Sequence, residues 1–287
     1  MSIILQESQL IGAHLSIEGG YYKALERAKQ IDANAVQLFT KSNRQWAARP
    51  LAPQAIELFK EKRNSLNIYP VAHASYLINL ASDNPDIILK SIESASWEIQ
   101  TCQALEIPTL VLHPGSAGSQ SREQALDNIV RNLDYIFEKI PGLTCIALET
   151  MAGQGSVLAR SFEEIGYIIN QSKYSERLGV CLDTCHVFAA GYDFTTATGY
   201  QAMWNQFINY IPIPYLKVIH ANDSKKPAGS QVDRHEHIGK GCIGIEAFSL
   251  LCNDPRLRHI VKIVETPKAS LEEDAYNVRI LKSLIKK

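Results

Sequence analysis

The sequence predicts a single-domain α/β fold, a parallel (β/α)8 TIM barrel, from a repeated pattern and from its length. Short apolar runs recur about every 30 to 40 residues, and a longer amphipathic stretch follows each one, as in chains built from βα units. The chain has 287 residues, which is enough for eight such units. A doubly wound parallel sheet is the competing architecture. No stretch has the Pro, Gly or Ser content of a linker, so we expect one domain over residues 1–287.

The barrel strands are predicted at eight apolar runs, each short and separated from the next by a longer stretch with helical periodicity. In chain order they are Leu10 to His14, Ala35 to Phe39, Ile68 to His73, Thr109 to His113, Thr144 to Glu149, Leu178 to Asp183, Leu216 to His220 and Val261 to Glu265.

Helices are predicted between these strands. In the segment 121 to 140 the apolar residues fall on one face of a helix, and Ser121 is placed to be its N-cap. A long helix is predicted from Pro85 to Leu105, with Asn84 as its cap and proline at the first helical position, where the missing N–H is tolerated. Further helices are predicted at 161 to 172 and 196 to 209.

The composition excludes several classes of protein. Lys plus Arg (29) balance Asp plus Glu (30), and 46% of the residues are hydrophobic, which argues against disorder and fibrous repeats. No apolar run approaches the roughly 20 residues that span a bilayer. The first ten residues also lack the basic segment and apolar core of a secretory signal, so we expect a cytoplasmic protein without membrane contact. The net charge of −1 neither suggests nor excludes a nucleic acid as partner.

Six of the eight predicted strands end in a potential metal ligand. In a parallel barrel the carboxyl ends of all strands open onto one face, so residues far apart in the sequence converge around one cavity. Any one such residue alone would more often be a capping or solvated side chain. His, Asp and Glu together make up only 38 of the 287 residues, so chance is a poor explanation for six such endings. The six residues are His73, His113, Glu149, Asp183, His220 and Glu265.

A metal centre is the natural function of this cluster, because charged and imidazole groups in a barrel mouth are costly without a compensating cation or hydrogen bonds. Three more candidates follow: His186, three residues after Asp183, and the alternating pair Asp233 and His235, which share one side if the backbone is extended. Imidazole and carboxylate without thiolate suit zinc, manganese or iron(II). Nine ligands exceed the needs of one ion and, with one bridging carboxylate, would serve about three.

Three segments of the sequence resemble the endonuclease IV family of apurinic/apyrimidinic (AP) endonucleases. They are HASYLINLA from His73, GVCLDTCH from Gly179, and IHANDSK from Ile219, which continues through GSQVDRH to His235. The similarity extends from Ile11 to Pro267, nearly the whole chain. Ordered motifs of this length are far more specific than an isolated His-x-His.

The resemblance implies a barrel with three zinc ions that cuts double-stranded DNA 5′ to an abasic site in base excision repair, leaving a 3′ hydroxyl and a 5′ deoxyribose phosphate. It assigns to the first zinc His73, His113 and Glu149; to the second Glu149 as a bridge, Asp183, His220 and Glu265; and to the third His186, Asp233 and His235. These are the same nine residues that the strand ends and their flanks indicate. Mn²⁺ could replace zinc, and we expect a monomer without a nucleotide cofactor.

Glu149 and Glu265 are the predicted catalytic carboxylates. Phosphodiester hydrolysis must bring hydroxide to an anion and stabilise the departing oxygen, and metal ions serve both needs. A hydroxide between two zinc ions, with its pKa lowered to about 7, would attack phosphorus in line while the remaining ion stabilises the 3′ oxygen. Our hypothesis is that Glu265 orients or deprotonates this water.

The loops after the second and third strands are the predicted DNA contacts. The segment KSNRQW from Lys41 and the pair Tyr76-Leu77 match family segments that penetrate the duplex, which singles out Arg44, Gln45, Tyr76 and Leu77. An abasic nucleotide costs less to flip out than a paired base, because less stacking and pairing is lost. Further candidates, for contact with phosphates, are Lys225, Lys226 and Arg234.

One segment departs from the family pattern. The sequence is ETMAGQG from Glu149, where many relatives have ENTAGQG. Thr150 therefore replaces an amide that could hydrogen-bond a metal ligand, and we expect a modest change in metal affinity or rate.

The main rival hypothesis is a sugar isomerase or epimerase of the xylose isomerase-like kind, which uses the same barrel with Glu, Asp and His ligands around two metals. The third ligand set and the loops with Arg44 and Tyr76 favour the nuclease, since a small sugar requires neither. A non-catalytic zinc-binding or DNA-damage scaffold is a further hypothesis, against which the complete ligand set argues.

Overall fold

The computed structural model describes residues 9–48 and 50–286, and within them eight parallel strands form a closed barrel. Closure of the sheet excludes the doubly wound alternative. The first eight residues, which are most of the segment expected not to be a secretory signal, lie outside the described residues. In the part of the chain that is described, no helix is both long and apolar enough to cross a membrane.

The strands occur where the apolar runs predict them. They are β1 (Ile11–His14), β2 (Ala35–Phe39), β3 (Tyr69–His73), β4 (Thr109–Leu112), β5 (Cys145–Glu149), β6 (Leu178–Asp183), β7 (Leu216–His220), a two-stranded hairpin of β8 (Asp223–Ser224) and β9 (His235–Glu236), and β10 (Val261–Val264). Around the barrel the order is β1-β10-β7-β6-β5-β4-β3-β2. The antiparallel hairpin β8–β9 is an addition that the apolar pattern does not predict, because its strands are polar and only two residues long.

Five predicted strand bounds differ from the structure by one residue: β1, β3 and β5 begin one residue later than predicted, and β4 and β10 end one residue earlier. His113 and Glu265 lie just beyond β4 and β10. Their strands stop earlier because ladder pairing ends at Val111 opposite His73 in β3–β4, and at Val264 opposite Ala13 in β1–β10.

The helices pack outside the barrel, and the capping predictions are confirmed. The Asn84 side chain accepts hydrogen bonds from the N–H groups of Asp86 and Ile87, and Ser121 Oγ accepts one from Gln124 N. Within the described ranges the helices are α1 (Tyr21–Gln30), α2 (Pro53–Leu66), α3 (Pro85–Leu105), α4 (Arg122–Lys139), α5 (Phe162–Gln171), α6 (Thr184–Ala190), α7 (Ala197–Tyr210), α8 (Ile245–Asn253) and α9 (Leu271–Ser283).

Two apolar cores result. The large one joins the helices to the outer faces of the strands. The small one fills the barrel with mostly small side chains: Ala35, Val71, Val111, Ala147, Cys181, Val218, Val261 and Ile263. Side chains alternate along a strand, so the residue two positions after each member of this inner layer also points into the barrel.

Candidate metal centre

Six of the predicted ligands lie one layer above the apolar barrel interior. Val71 precedes His73 by two residues, and Ala147 precedes Glu149 by two. The same spacing relates Val111 to His113, Cys181 to Asp183, Val218 to His220 and Ile263 to Glu265. A spacing of two keeps side chains on the same side of a strand, so the six polar groups face one another at the carboxyl end of the barrel.

The first group consists of His73, His113 and Glu149. Both imidazole Nε2 atoms lie 3.1 Å from Glu149 Oε2. His73 and Glu149 are buried, and the side chain of His113 is 24% exposed. The three ligand atoms are close enough to bind one cation, and the partly open side is at His113.

The second group uses the other oxygen of the same glutamate. His220 Nδ1 lies 3.1 Å from Glu149 Oε1, 3.0 Å from Glu265 Oε2 and 3.8 Å from Asp183 Oδ2. These four residues also form a set that could hold a metal. Glu149 therefore faces two groups at once, which is the geometry of a bridging carboxylate.

The third group is built by a helix cap and a hairpin. Asp183 ends β6 and caps α6, its Oδ1 accepting the N–H of His186 at 2.9 Å, so the Asp-x-x-His spacing brings His186 back toward the strand end. The hairpin β8–β9 carries His235, whose Nε2 lies 3.3 Å from Asp233 Oδ1. His186 Nε2 lies 3.2 Å from Asp233 Oδ2.

Two thiols also lie within this cluster. The spacing of the cysteines in the sequence does not predict this position. Cys181 is near Glu149 and His220, and Cys185 is near Asp233 and His235. Burial raises the pKa of each thiol to about 12. Both are therefore protonated at neutral pH, and a thiol is a poor ligand compared with a thiolate. The chemistry of the donor set remains that of imidazole and carboxylate.

The hydrogen bonds of four histidines fit metal binding. Each imidazole has one nitrogen against an acceptor outside the cluster, which directs its other nitrogen at the carboxylates. The pairs are His73 Nδ1 with Ala74 O (2.7 Å), His186 Nδ1 with Thr150 O (2.8 Å), His220 Nε2 with Gln37 Oε1 (2.8 Å) and His235 Nδ1 with Glu265 O (3.0 Å). The Nε2 atoms of His186 and His235 are buried without a well-formed hydrogen bond, as expected of atoms that await a cation.

The carboxylates are held in their charged form. Burial acts to raise the pKa of Glu149, but the imidazoles of His220 and His113 hold it well below its usual range. Burial acts likewise on the pKa of Glu265, and His220 and His14 overcome it. Ionised carboxylates are the form that divalent cations require. Burial acts to lower the pKa values of His73, His186 and His220, but the neighbouring acidic groups raise them, so cation binding would release imidazole protons.

Two residues that support the ligands, Gln37 and Asn222, do not lie at predicted strand ends. Gln37 Nε2 donates to Glu265 Oε1 at 2.7 Å, in addition to its bond with His220. Asn222 Nδ2 donates to Asp183 Oδ2 at 2.7 Å, and its Oδ1 accepts the N–H of Glu265 at 2.7 Å. A signal for Gln37 does exist, because it is the one polar residue of the buried strand AVQLF.

The residues predicted to contact DNA lie around this centre at different depths. Tyr76 is 52% exposed, and the centroid of its ring is 5.3 Å from those of His73 and His113. Arg44 and Gln45 are exposed in the loop after β2, whereas Leu77 is half-buried. Lys225, Lys226 and Arg234 are exposed beside the hairpin, where Lys225 N donates to Arg234 O at 2.9 Å.

Comparison with known proteins places the chain in a family. The sequence profile of the family described as "Xylose isomerase-like TIM barrel" matches residues 25–285. A probable endonuclease 4 from Chloroflexus aurantiacus is 42% identical over 96% of this chain and 97% of its own length. A probable endonuclease 4 from Trichlorobacter lovleyi is 43% identical over 96% of this chain and all of its own length.

Solved structures agree. The crystal structure of endonuclease IV from Thermus thermophilus has a TM-score of 0.85 and 33% identity, covering 96% of this chain and 98% of that one. A D-tagatose 3-epimerase-like protein has a TM-score of 0.72 at 21% identity, covering 95% of this chain and 96% of that one, a likeness of fold alone. The chain belongs to the endonuclease IV family of AP endonucleases, which are hydrolytic enzymes.

Proposed function

We propose that the protein is a zinc-dependent DNA repair endonuclease that hydrolyses the phosphodiester bond 5′ to an abasic site and leaves a 3′ hydroxyl and a 5′ deoxyribose phosphate. The observation that carries this proposal is the position of Glu149: its Oε2 faces two imidazoles, and its Oε1 faces a second group of one imidazole and two carboxylates. A site of this kind suits phosphodiester hydrolysis, in which an attacking oxygen and a departing oxygen both need stabilisation.

Three ions would be held by the nine residues. His73, His113 and Glu149 would hold the first; Glu149, Asp183, His220 and Glu265 the second; and His186, Asp233 and His235 the third. When bound, the ions supply positive charge to the phosphate oxygens and lower the pKa of water for attack at neutral pH. Zinc fits this donor set, and Mn²⁺ is the expected substitute.

The protein's own groups would orient the reactants. Glu265 is 13% exposed, and Gln37 and His14 hold its Oε1, while its Oε2 lies 3.0 Å from His220 Nδ1 in the second ligand group. The water that Glu265 would orient or deprotonate is therefore one that lies at this group. Replacement of Glu265 by Gln with full turnover and unchanged zinc content would refute this role. Gln37 also holds His220, so the position of Glu265 is coupled to that of the ligand His220.

Recognition would depend on the loops around the centre. The exposed ring of Tyr76 stands beside His73 and His113, where a flipped-out sugar would have to enter. Arg44, Gln45 and Leu77 would approach the duplex from the neighbouring loops. The cationic side chains of Lys225, Lys226 and Arg234 would meet phosphates, so their contribution would weaken as salt rises.

The rival function, a sugar epimerase, has support only from the fold. The relatives with 42% and 43% identity are named endonuclease 4. The hairpin brings Asp233 to 3.2 Å from His186 Nε2 and to 3.3 Å from His235 Nε2, which favours a third metal beyond the two expected of such an epimerase.

The deciding experiment is incision of a duplex with one tetrahydrofuran abasic analogue, which cannot break by β-elimination. Zinc-loaded protein should cut 5′ to the analogue, and the Glu149→Ala variant should not. A cut that leaves no 3′ hydroxyl would contradict the hydrolytic step. If protein with a measured full zinc content leaves the duplex intact, the nuclease proposal fails and sugar epimerisation becomes the reaction to assay.

A further inference from the structure

One buried carboxylate joins two loops beside the metal centre. Glu98 lies on α3 and is fully buried. Its Oε2 accepts a hydrogen bond from Thr40 Oγ1 at 2.8 Å, at the end of β2, and its Oε1 accepts the N–H of Ser75 at 3.1 Å, just after β3. The first residues of the β2–α2 loop and of the β3–α3 loop are therefore attached to the same side chain.

A buried lysine strengthens this connection. Lys41 Nζ lies 3.9 Å from Glu98 Oε1 and donates to Ser94 Oγ at 2.7 Å, one turn earlier on α3. The same ammonium donates to Trp46 O at 2.9 Å. It thereby closes the segment 41–46 on itself and holds it against the helix.

The two loops are also bonded to each other. Ser75 Oγ donates to Asn43 O at 3.0 Å and accepts the N–H of Leu77 at 3.3 Å. Arg44 and Gln45 follow Asn43, and Tyr76 lies between Ser75 and Leu77. A shift of one loop would break bonds that belong to the other.

Packing alone does not explain this network. A buried ion pair is a weak source of stability, because desolvation of both charges offsets their attraction, and it is better suited to specifying one arrangement. Glu98 also lies outside the groups of side chains that could hold a metal in the described part of the chain.

We propose that Glu98 is a positioning residue that holds the β2–α2 and β3–α3 loops in the joint arrangement that receives an abasic duplex. The inference rests on the proposed function, since it takes these loops to be DNA contacts. Loops that are already ordered avoid the entropy cost of ordering upon binding. The effect of Glu98 therefore falls on affinity for the duplex and not on the rate of hydrolysis once the duplex is bound.

The connection is tested first in the free protein by hydrogen exchange. Glu98→Gln keeps the shape of the side chain and removes its charge, and Glu93→Gln on the exposed side of α3 is the matched control. We expect exchange of the amides in 40–46 and 75–78 to rise together by about tenfold in Glu98→Gln, with zinc content unchanged, and to stay constant in the control. Increased exchange in one loop only, or in neither, overturns the proposal.

The second measurement separates binding from turnover. In Glu98→Gln we expect the Kd for a tetrahydrofuran duplex to rise about tenfold, with the single-turnover rate at saturating protein within about twofold of the unmodified value. Ser75→Ala, a milder change, should shift the Kd in the same direction. A slower single-turnover rate at unchanged Kd overturns the proposal. If the unmodified protein neither binds nor cuts the duplex, the proposed function fails and the role in DNA binding fails with it, while the exchange pattern separately decides whether Glu98 joins the loops.

Discussion

The hydroxyl of Thr150 accepts a hydrogen bond of 2.9 Å from the backbone N–H of Asp183, between the ends of β5 and β6. The carbonyl of the same residue lies 2.8 Å from His186 Nδ1. Thr150 thus supports two of the predicted ligands and directly follows a third, Glu149. The hydroxyl of Thr150 therefore has a defined partner, and the effect of removing this hydroxyl should be measurable.

Thr150→Val should weaken the metal centre and the fold. Valine has the shape of threonine but no acceptor, so the buried N–H of Asp183 loses its partner at a cost of about 1–3 kcal/mol in the free energy of unfolding. Zinc affinity should fall by about tenfold, the lower end of the effect of removing an outer partner of a ligand. Urea unfolding and competition with a zinc chelator measure the two effects. Thr144→Val, at the opposite end of β5, is the control and should leave zinc affinity unchanged.

Asp223→Ala should selectively loosen the segment that carries the third ligand group. The buried Asp223 carboxylate accepts four backbone N–H groups, from Ser224, Gly239, Gly241 and Ile243, at 2.7–3.0 Å. Without it these donors have no partner and the hairpin β8–β9 loses its anchor. We expect the zinc content after dialysis to fall by about one ion per chain, which is the ion assigned to the third ligand group.

Asp223→Asn is the matched variant, because its amide oxygen can still accept part of these bonds. It should retain more zinc than Asp223→Ala. A full complement of zinc in the alanine variant would show that the hairpin is held by other contacts.

Removal of metal should lower thermal stability. Four carboxylates, of Glu149, Asp183, Asp233 and Glu265, lie among the imidazoles of one cluster, and a cation that binds only the folded state stabilises it. Chelation should reduce Tm by roughly 10 °C, the shift expected when a ligand at about a thousand times its Kd is withdrawn. Zinc should restore the Tm and magnesium should not, since imidazole ligands favour zinc. An equal Tm before and after chelation would mean that the imidazoles alone compensate the charges of the carboxylates in the metal-free protein.

Lys262 should make stability depend on pH in the alkaline range. Burial lowers the pKa of this lysine to about 8, and its Nζ donates to the carbonyls of Leu257 and Ile260, which are neutral acceptors. The unfolded chain, with an ordinary lysine pKa of about 10.4, binds more protons than the folded one between these values. Stability therefore rises with pH through this window, and the cost of burying the charge is fully present below pH 8.

The comparison that isolates this effect is Lys262→Met. The variant should gain stability relative to the unmodified protein at pH 7, and the difference should shrink by on the order of 3 kcal/mol toward pH 10.5. Denaturant unfolding at several pH values measures it. A difference that is constant with pH would mean that Lys262 keeps an ordinary lysine pKa in the folded protein, so that burial does not disfavour its charge.

Periodicity in the sequence was enough to predict all eight barrel strands to within one residue at either end. Strand interiors in a parallel barrel are mostly apolar on both faces, so the runs stand out in the sequence, and six of the eight end at a potential metal ligand. Because the strands of the barrel are parallel, His73, Glu149 and the other strand-end residues lie at one end of the barrel. The capping residues Asn84 and Ser121 were also readable, because a cap is a local interaction.

What only the tertiary structure decided depends on the register of strands that are distant in sequence. It determined that each oxygen of Glu149 faces a different ligand group, that Gln37 and Thr150 orient His220 and His186, and that polar residues 223–236 fold into a hairpin. The tertiary structure also decided that Glu98 connects the β2–α2 and β3–α3 loops. Local patterns specify which residues are buried and on which face, but the partners of a buried polar group are chosen by whatever the closed barrel brings within hydrogen-bond distance.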